Sequence, residues 1–206
     1  MKKILVLLAH PRTDRSEINS ALAARAHRHD AVTLVDLYSE YPTFDIDVER
    51  EQQRLRDHDV FVFQHPVYWY SSPAILKEWQ DLVLEYGFAY GSEGRELEGK
   101  LFFSAVSCGA RREVYTCDGA YHHELKDFFV PYEQTMALCR VRYLPPFSLF
   151  AAGHAIDEGR LEEHVDAYER LLTAVAEDHL DLDRAEQALT LSDDLDALIG
   201  PRKGDR

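Results

Sequence analysis

The stretch that decides the fold is residues 60–86, VFVFQHPVYWYSSPAILKEWQDLVLEY. It opens with five residues that are apolar except for the closing Gln64, as expected of a strand buried on both faces of a parallel sheet. His65-Pro66 ends the run. Ser72-Pro73 then reads as a helix start, with Ser at the N-cap and Pro in the first turn, where its missing N–H costs nothing. Beyond it, Ile75, Leu76, Trp79, Leu82, Val83 and Tyr86 recur at helical spacing, and Gly87 closes the helix.

The same strand–helix unit repeats in both directions. Residues 4–9 form a continuous apolar run bounded by His10-Pro11, followed by a helix over 16–28 with Ile18, Leu22 and Ala26 on one face and Ser16 as its cap. A second strand is expected at 32–37, a loop at 41–47 and a short polar helix at 48–56. On the other side, a strand at 101–106 runs into Ser107-Cys108-Gly109. A helix is expected over 121–139, with Pro131 as an unplaced interruption, then a loop at Leu144-Pro145-Pro146. A fifth strand at 147–151 and an amphipathic helix on Leu161, Val165, Tyr168, Leu172 and Val175 complete the pattern. Strands alternating with helices imply right-handed crossovers, and five of them predict an α/β, flavodoxin-like doubly wound parallel sheet of order 2-1-3-4-5 with helices on both faces. The reading gives one domain over 1–177 and an acidic tail over 178–206, partly helical or disordered.

Composition narrows the function. The 206 residues are 46% apolar, enough for a substantial core, and carry a formal charge of −14. That charge argues against a nucleic-acid partner and against docking on bare anionic lipid. Three cysteines without a C-x-x-C pair fit a reducing cytoplasm, not a disulfide framework, and no metal site is expected. No apolar stretch is long enough to span a membrane.

In an open parallel sheet, ligands bind beyond the carboxyl ends of the strands. Three such ends are unusual here. The first, 10–19, joins a strand to a helix N-terminus, where free N–H groups and the helix dipole attract phosphate. His10, Arg12, Ser16 and Asn19 add donors. The plainer alternative is a capped helix with solvated charges. The second, Pro66-Val67-Tyr68-Trp69-Tyr70, offers three consecutive aromatics on which a flat ring system stacks, unless they are a core cluster. The third, Ser107-Cys108-Gly109-Ala110, is a small turn that lets backbone donors approach a ligand, although such turns are common. Arg111 and Arg112 after it read as solvated, with contact to a nucleotide phosphate as the alternative.

Together these segments resemble the flavodoxin-like NAD(P)H:quinone oxidoreductases, especially the smaller branch that contains the ancillary proteins of glutathione-regulated potassium-efflux systems. The resemblance rests on AHP…S.IN at 9–19, QHPVYWYSSPAILKEWQD at 64–81, GFAYG at 87–91, LEGK at 97–100 and LPPF at 144–147. It implies a flavin, FMN with FAD as the alternative, whose phosphate lies against His10, Arg12, Ser16, Ile18 and Asn19. Pro66, Val67, Tyr68, Trp69 and Tyr70 would line its ring, and Ser107, Cys108, Gly109 and Ala110 its pyrimidine edge. It further implies catalytic roles for Tyr115 and His122, ping-pong hydride transfer from NAD(P)H to a quinone, and a homodimer. The alternatives are a regulatory subunit at the inner face of the membrane, held there by a potassium-efflux transporter, and a one-electron flavodoxin-type carrier. Two departures stand out. Many members have Thr-Thr-Gly-Gly at 107–110. The family histidine falls six residues after the tyrosine, where this chain has Tyr121, and a one-residue loop change is needed to bring His122 there.

Overall fold

The computed structural model describes residues 1–200. Its elements run β1 (Ile4–Leu8), α1 (Glu17–His27), β2 (Val32–Asp36), α2 (Leu37–Glu40), α3 (Val48–Asp57), β3 (Val60–Pro66), α4 (Ala74–Val83), β4 (Leu101–Ser107), α5 (Val130–Leu138), β5 (Arg142–Tyr143), β6 (Phe147–Leu149), α6 (Leu161–Ala176), α7 (Leu182–Gln187) and α8 (Leu195–Leu198). The sheet is parallel, in the order β2-β1-β3-β4-β5, with β6 also paired to β4. This is the flavodoxin-like doubly wound order.

The continuous apolar strands are explained by two cores. Alternate residues of a strand point to opposite faces. Leu5, Leu7, Phe61, Phe63 and Phe102 enter the core beneath α3, α4 and α5, whereas Ile4, Val6, Val60, Val62 and Phe103 enter the one beneath α1 and α6. Trp79 is fully buried in the first, and its indole donates to the buried carboxylate of Glu51 at 2.9 Å.

Four local expectations are corrected. The fifth strand position is filled by two short pieces, because Pro145 and Pro146 have no N–H to give to the ladder. β5 pairs with Leu101 and Phe102, β6 with Ala105 to Ser107, and the second piece ends at Leu149, not at residue 151. Helix α4 is capped at Pro73 without a side-chain hydrogen bond, so Ser72 is not its cap. Leu82 and Tyr86 are exposed, unlike Ile75, Leu76, Trp79 and Val83. The expected helix over 121–139 is a turn, a 3-10 segment at Leu125–Phe129, and then α5, whose first turn contains Pro131, a position at which proline is well tolerated.

Beyond α6 the chain turns back over the second core. Leu180, Ala185, Leu191, Leu195 and Leu198 are buried there. The same segment closes the sheet edge: Leu191 N–H donates to Pro146 O at 2.9 Å, and Ser192 Oγ accepts from Ser148 N–H at 3.0 Å and donates to Ser148 O at 2.8 Å. An exposed edge strand is otherwise a template for aggregation. Residues 201–206 of the expected tail lie outside the described residues. Among the described residues no helix is long and apolar enough to cross a membrane.

Two predictions follow from the packing. Leu191 is completely buried, so Leu191→Ala is expected to cost about 2–5 kcal/mol in urea unfolding; a loss below about 0.5 kcal/mol, the size of a surface effect, would mean the segment only rests on the surface. The second concerns pH. Burial lowers the pKa of His65 and of His164 from 6.5 to about 4. The unfolded chain takes up these protons near pH 6.5 and the native state only near pH 4, so stability is lost as pH falls through that window. Each group contributes a slope of up to about 1.4 kcal/mol per pH unit. His164→Leu should flatten the dependence of the urea midpoint between pH 7 and 5, and an unchanged slope would contradict the assignment.

Candidate functional site

Parallel pairing brings the carboxyl ends of β1, β3 and β4 to one edge. Leu8 lies opposite Gln64, and Pro66 opposite Ser107. The loops that follow are stitched together at Asn19, whose side chain is almost wholly buried. Its Nδ2 donates to Ser16 Oγ at 3.1 Å and to Ser107 Oγ at 3.0 Å, while Gln64 Nε2 donates to its carbonyl at 2.9 Å. Asn19 Oδ1, equally buried, has no hydrogen-bond partner among the described residues. A buried acceptor left unpaired costs about 1–3 kcal/mol, so it points to a ligand donor.

In the first loop, Ser16 Oγ caps α1 by accepting from Asn19 N–H at 3.3 Å. The N–H groups of Glu17 and Ile18 belong to the first turn, which has no intrahelical partner to offer, and they emerge at the helix end. The Ile18 side chain packs into the core, so only its backbone serves the site. His10 Nδ1 accepts from Arg12 N–H at 3.1 Å, which fixes the neutral tautomer with its proton on Nε2, 3.4 Å from Tyr68 Oη. Burial lowers the His10 pKa, outweighing the Arg12 hydrogen bond and the charges of Asp14 and Asp36. Arg12 itself is exposed and paired with Asp14 at 2.9 Å. The loop therefore presents N–H donors and a neutral imidazole, without a free cation from Arg12.

The second loop is a tight hairpin. Tyr68 and Ser71 exchange both backbone hydrogen bonds at 3.0 Å across Trp69 and Tyr70, whose φ angles are 51° and 62°. Two-residue hairpins with both φ positive strongly prefer Asn-Gly. Two aromatic residues there carry about 1–2 kcal/mol of strain each, and such strain concentrates at functional sites. Trp69 is 93% exposed, and Tyr68 and Tyr70 are about half exposed. Pro66 ends β3 in the core layer, and Val67 N–H donates to Ser107 O at 2.8 Å.

In the third loop, Cys108 turns inward. Its side chain is buried, its N–H donates to Leu149 O at 2.8 Å and its carbonyl accepts from Ala152 N–H at 2.9 Å. It therefore shapes the turn without offering a group to a ligand. Burial pushes its thiol up to about 12, partly offset by a hydrogen bond with Tyr115. Gly109 is exposed and Ala110 half-buried, and their N–H groups are the ones the turn leaves for a ligand. Tyr115 is buried, and burial raises its pKa above the ordinary tyrosine range. Its ring meets Tyr121 at 5.0 Å, Phe150 at 5.4 Å and Phe128 at 6.1 Å.

The residue beside Tyr115 is thus Tyr121, not His122. His122 is exposed on a turn at φ 57° and does not reach the ring. Tyr121 also meets Tyr70 at 5.3 Å, which links the third loop to the hairpin. Sequence reading missed three participants. Gln64 carried a signal, as the polar end of an apolar strand. Ala151 carried none: it sits at φ 49° without being glycine, and its N–H donates to Ala110 O at 2.8 Å. Arg160 fixes that bend by donating to the carbonyls of Phe150 at 3.0 Å and Ala151 at 3.2 Å.

Comparison with known proteins agrees with the fold. The sequence model of the family described as "Flavodoxin-like fold" matches residues 2–172. The chain is 42% identical to the uncharacterized NAD(P)H oxidoreductase YrkL of Bacillus subtilis, over 76% of this chain and 90% of that one. It is 43% identical to the glutathione-regulated potassium-efflux system ancillary protein KefG of Salmonella paratyphi B, over 81% and 90%. Among solved structures, general stress protein 14 of Treponema denticola in complex with FMN superposes with a TM-score of 0.79 at 37% identity, covering 84% of this chain and 99% of that one. An NADPH-quinone reductase of P. pentosaceus superposes with a TM-score of 0.74 at 28% identity, over 82% and 96%. The strand order, the convergent loops and the match across residues 2–172 lead to one conclusion: this chain belongs to the flavodoxin-like fold family.

Proposed function

We propose that this chain is an FMN-dependent oxidoreductase that takes hydride from NAD(P)H and passes two electrons to a quinone-type acceptor by a ping-pong mechanism. The observation that carries the reading is the unpaired, buried Asn19 Oδ1 beside a free helix N-terminus and a strained aromatic hairpin. FMN is preferred to FAD because the neighbour at 37% identity holds FMN. NAD(P)H and a quinone are taken from the names of the relatives at 42% and 28% identity.

The residues fit such a group. The N–H groups of Glu17 and Ile18, Ser16 Oγ and the Nε2 proton of His10 suit a phosphate. Asn19 Oδ1 suits a polyol hydroxyl. Tyr68, Trp69 and Tyr70 with Pro66 and Val67 suit a flat ring, and the N–H groups of Gly109 and Ala110 suit its polar edge. When bound, the flavin supplies hydride and electron transfer, chemistry no side chain here can perform. Tyr115 keeps its proton across the working pH range because burial raises its pKa. Its part is to donate a hydrogen bond and steady developing negative charge, not to cycle as a base. The Cys108 thiol, pushed up to about 12, stays neutral and is no nucleophile. Tyr121, packed on Tyr115, takes the place expected of His122.

The exposed Trp69, Leu82 and Tyr86 support the homodimer as part of the same reading. The 43% identity to KefG favours a second role, as a subunit that a potassium-efflux transporter holds at the inner face of the membrane. The two roles are compatible. Pull-down with such a transporter's cytoplasmic domain tests the second, and failure to bind would remove it.

The catalytic reading is tested by incubating the protein with FMN, desalting it, and adding NADPH or NADH and then a quinone without oxygen. Retained flavin absorption that bleaches with the nicotinamide and returns with the quinone is expected. Asn19→Ala removes both the stitch to Ser107 and the unpaired acceptor, and should weaken FMN binding by about 10- to 100-fold. A wild-type protein that retains no FMN, or a variant that retains it equally well, would sink the reading.

A further inference from the structure

The segment beyond α6 does more than cover a core face. It reaches the loop that carries Tyr115. The family match ends at residue 172, so this segment lies outside it. Ser192, hydrogen-bonded both ways to Ser148 of β6, fixes the segment against the sheet edge. The next residue, Asp193, takes both terminal nitrogens of Arg112 in a two-pronged ion pair, one arm at 2.6 Å. The Arg112 guanidinium lies over the Phe150 ring at 5.4 Å, and that ring meets Tyr115 at 5.4 Å. Asp193, Arg112, Phe150 and Tyr115 thus form one contiguous stack, from the C-terminal segment to the candidate site.

The other supports of this loop lie on different elements. Arg111 pairs with Glu158 at 3.3 Å, and Glu158 also pairs with Arg160, which holds the Phe150 and Ala151 carbonyls. These contacts fix the backbone of the 150 bend. Asp193 is the one ion-pair partner of the Arg112 side chain among the described residues. Two-pronged arginine–carboxylate pairs add geometric specificity as well as energy. Burial would raise the Asp193 carboxyl, but hydrogen bonds from Arg112 and Thr190 hold it below the usual carboxylate range.

We propose that Asp193 is a positioning residue: through Arg112 and Phe150 it sets the placement of Tyr115 at the flavin edge, so the C-terminal segment tunes turnover. The proposal rests on the reading of the site given above. It involves no new chemical step, since Asp193 touches neither cofactor nor acceptor.

The test compares Asp193→Asn, Asp193→Glu and, as a control from the same segment, Asp196→Asn, whose aspartate pairs with Arg170. Hydrogen exchange is measured first on FMN-free protein. Amides of residues 111–115 should exchange about three- to fivefold faster in Asp193→Asn, the size expected of a partly exposed ion pair. Asp193→Glu should restore part of the protection and Asp196→Asn should change nothing. On FMN-loaded protein, Asp193→Asn should lower kcat about threefold or more with the KM for NADPH unchanged, and alter the flavin's visible circular dichroism. Unchanged exchange in Asp193→Asn, or faster exchange with kcat and the flavin signal intact, overturns the proposal. If the wild type retains no flavin, the catalytic reading fails by itself, and the exchange comparison still decides whether Asp193 holds the loop.

Discussion

The site depends on how β3 is clamped. It is hydrogen-bonded to β1 on one side and β4 on the other, over its whole length on the β4 side. A slip of one residue would send every strand side chain to the opposite face, and both cores are filled by strictly alternating residues. The register is therefore fixed by packing, and it places the loops after β1, β3 and β4 at one edge. Asn19 then joins the first loop to the third through Ser107, and Val67 joins the second to the third through the Ser107 carbonyl. Ser107 is the node at which all three meet.

In the proposed reading this edge recognises an anion in an unusual electrostatic setting. The chain carries a charge of −14, and Arg12 of the first loop is paired with Asp14. The helix start offers N–H donors, a hydroxyl and an imidazole whose pKa burial lowers. Donors of this kind are oriented by the fold and need no counter-charge to hold them in place. The cost is borne next door, where Trp69 and Tyr70 occupy backbone conformations that glycine or asparagine would adopt more easily. Exposing two aromatic rings through strained backbone makes physical sense when the rings have a partner to meet.

Much of this was legible in the residues. Continuous apolar runs at β1, β3 and β4 announced buried parallel strands, and the polar or aromatic residues after them marked the candidate ligand edge. What escaped has physical causes. β5 is two residues long and partly polar, and no periodicity can signal it. Pro131 reads as a breaker until its place in the first turn of α5 is known. The segment over 177–200 buries its leucines from short elements at irregular spacing, so it has no stripe to detect. The left-handed conformations at Trp69, Tyr70, Ala151 and His122 fall on residues that do not advertise them. The last of these turns the chain so that Tyr121, not His122, faces Tyr115.

The central claim is that the edge formed at Ser107 holds a phosphate together with a flat ring. Calorimetric titration of the flavin-free protein with FMN and with riboflavin, which lacks only the phosphate, tests it most directly. The account predicts that FMN binds at least about tenfold more tightly, the gain of about 1.4 kcal/mol expected from charge-assisted hydrogen bonds at a helix N-terminus. Equal affinity for the two, or no binding of either, would contradict it.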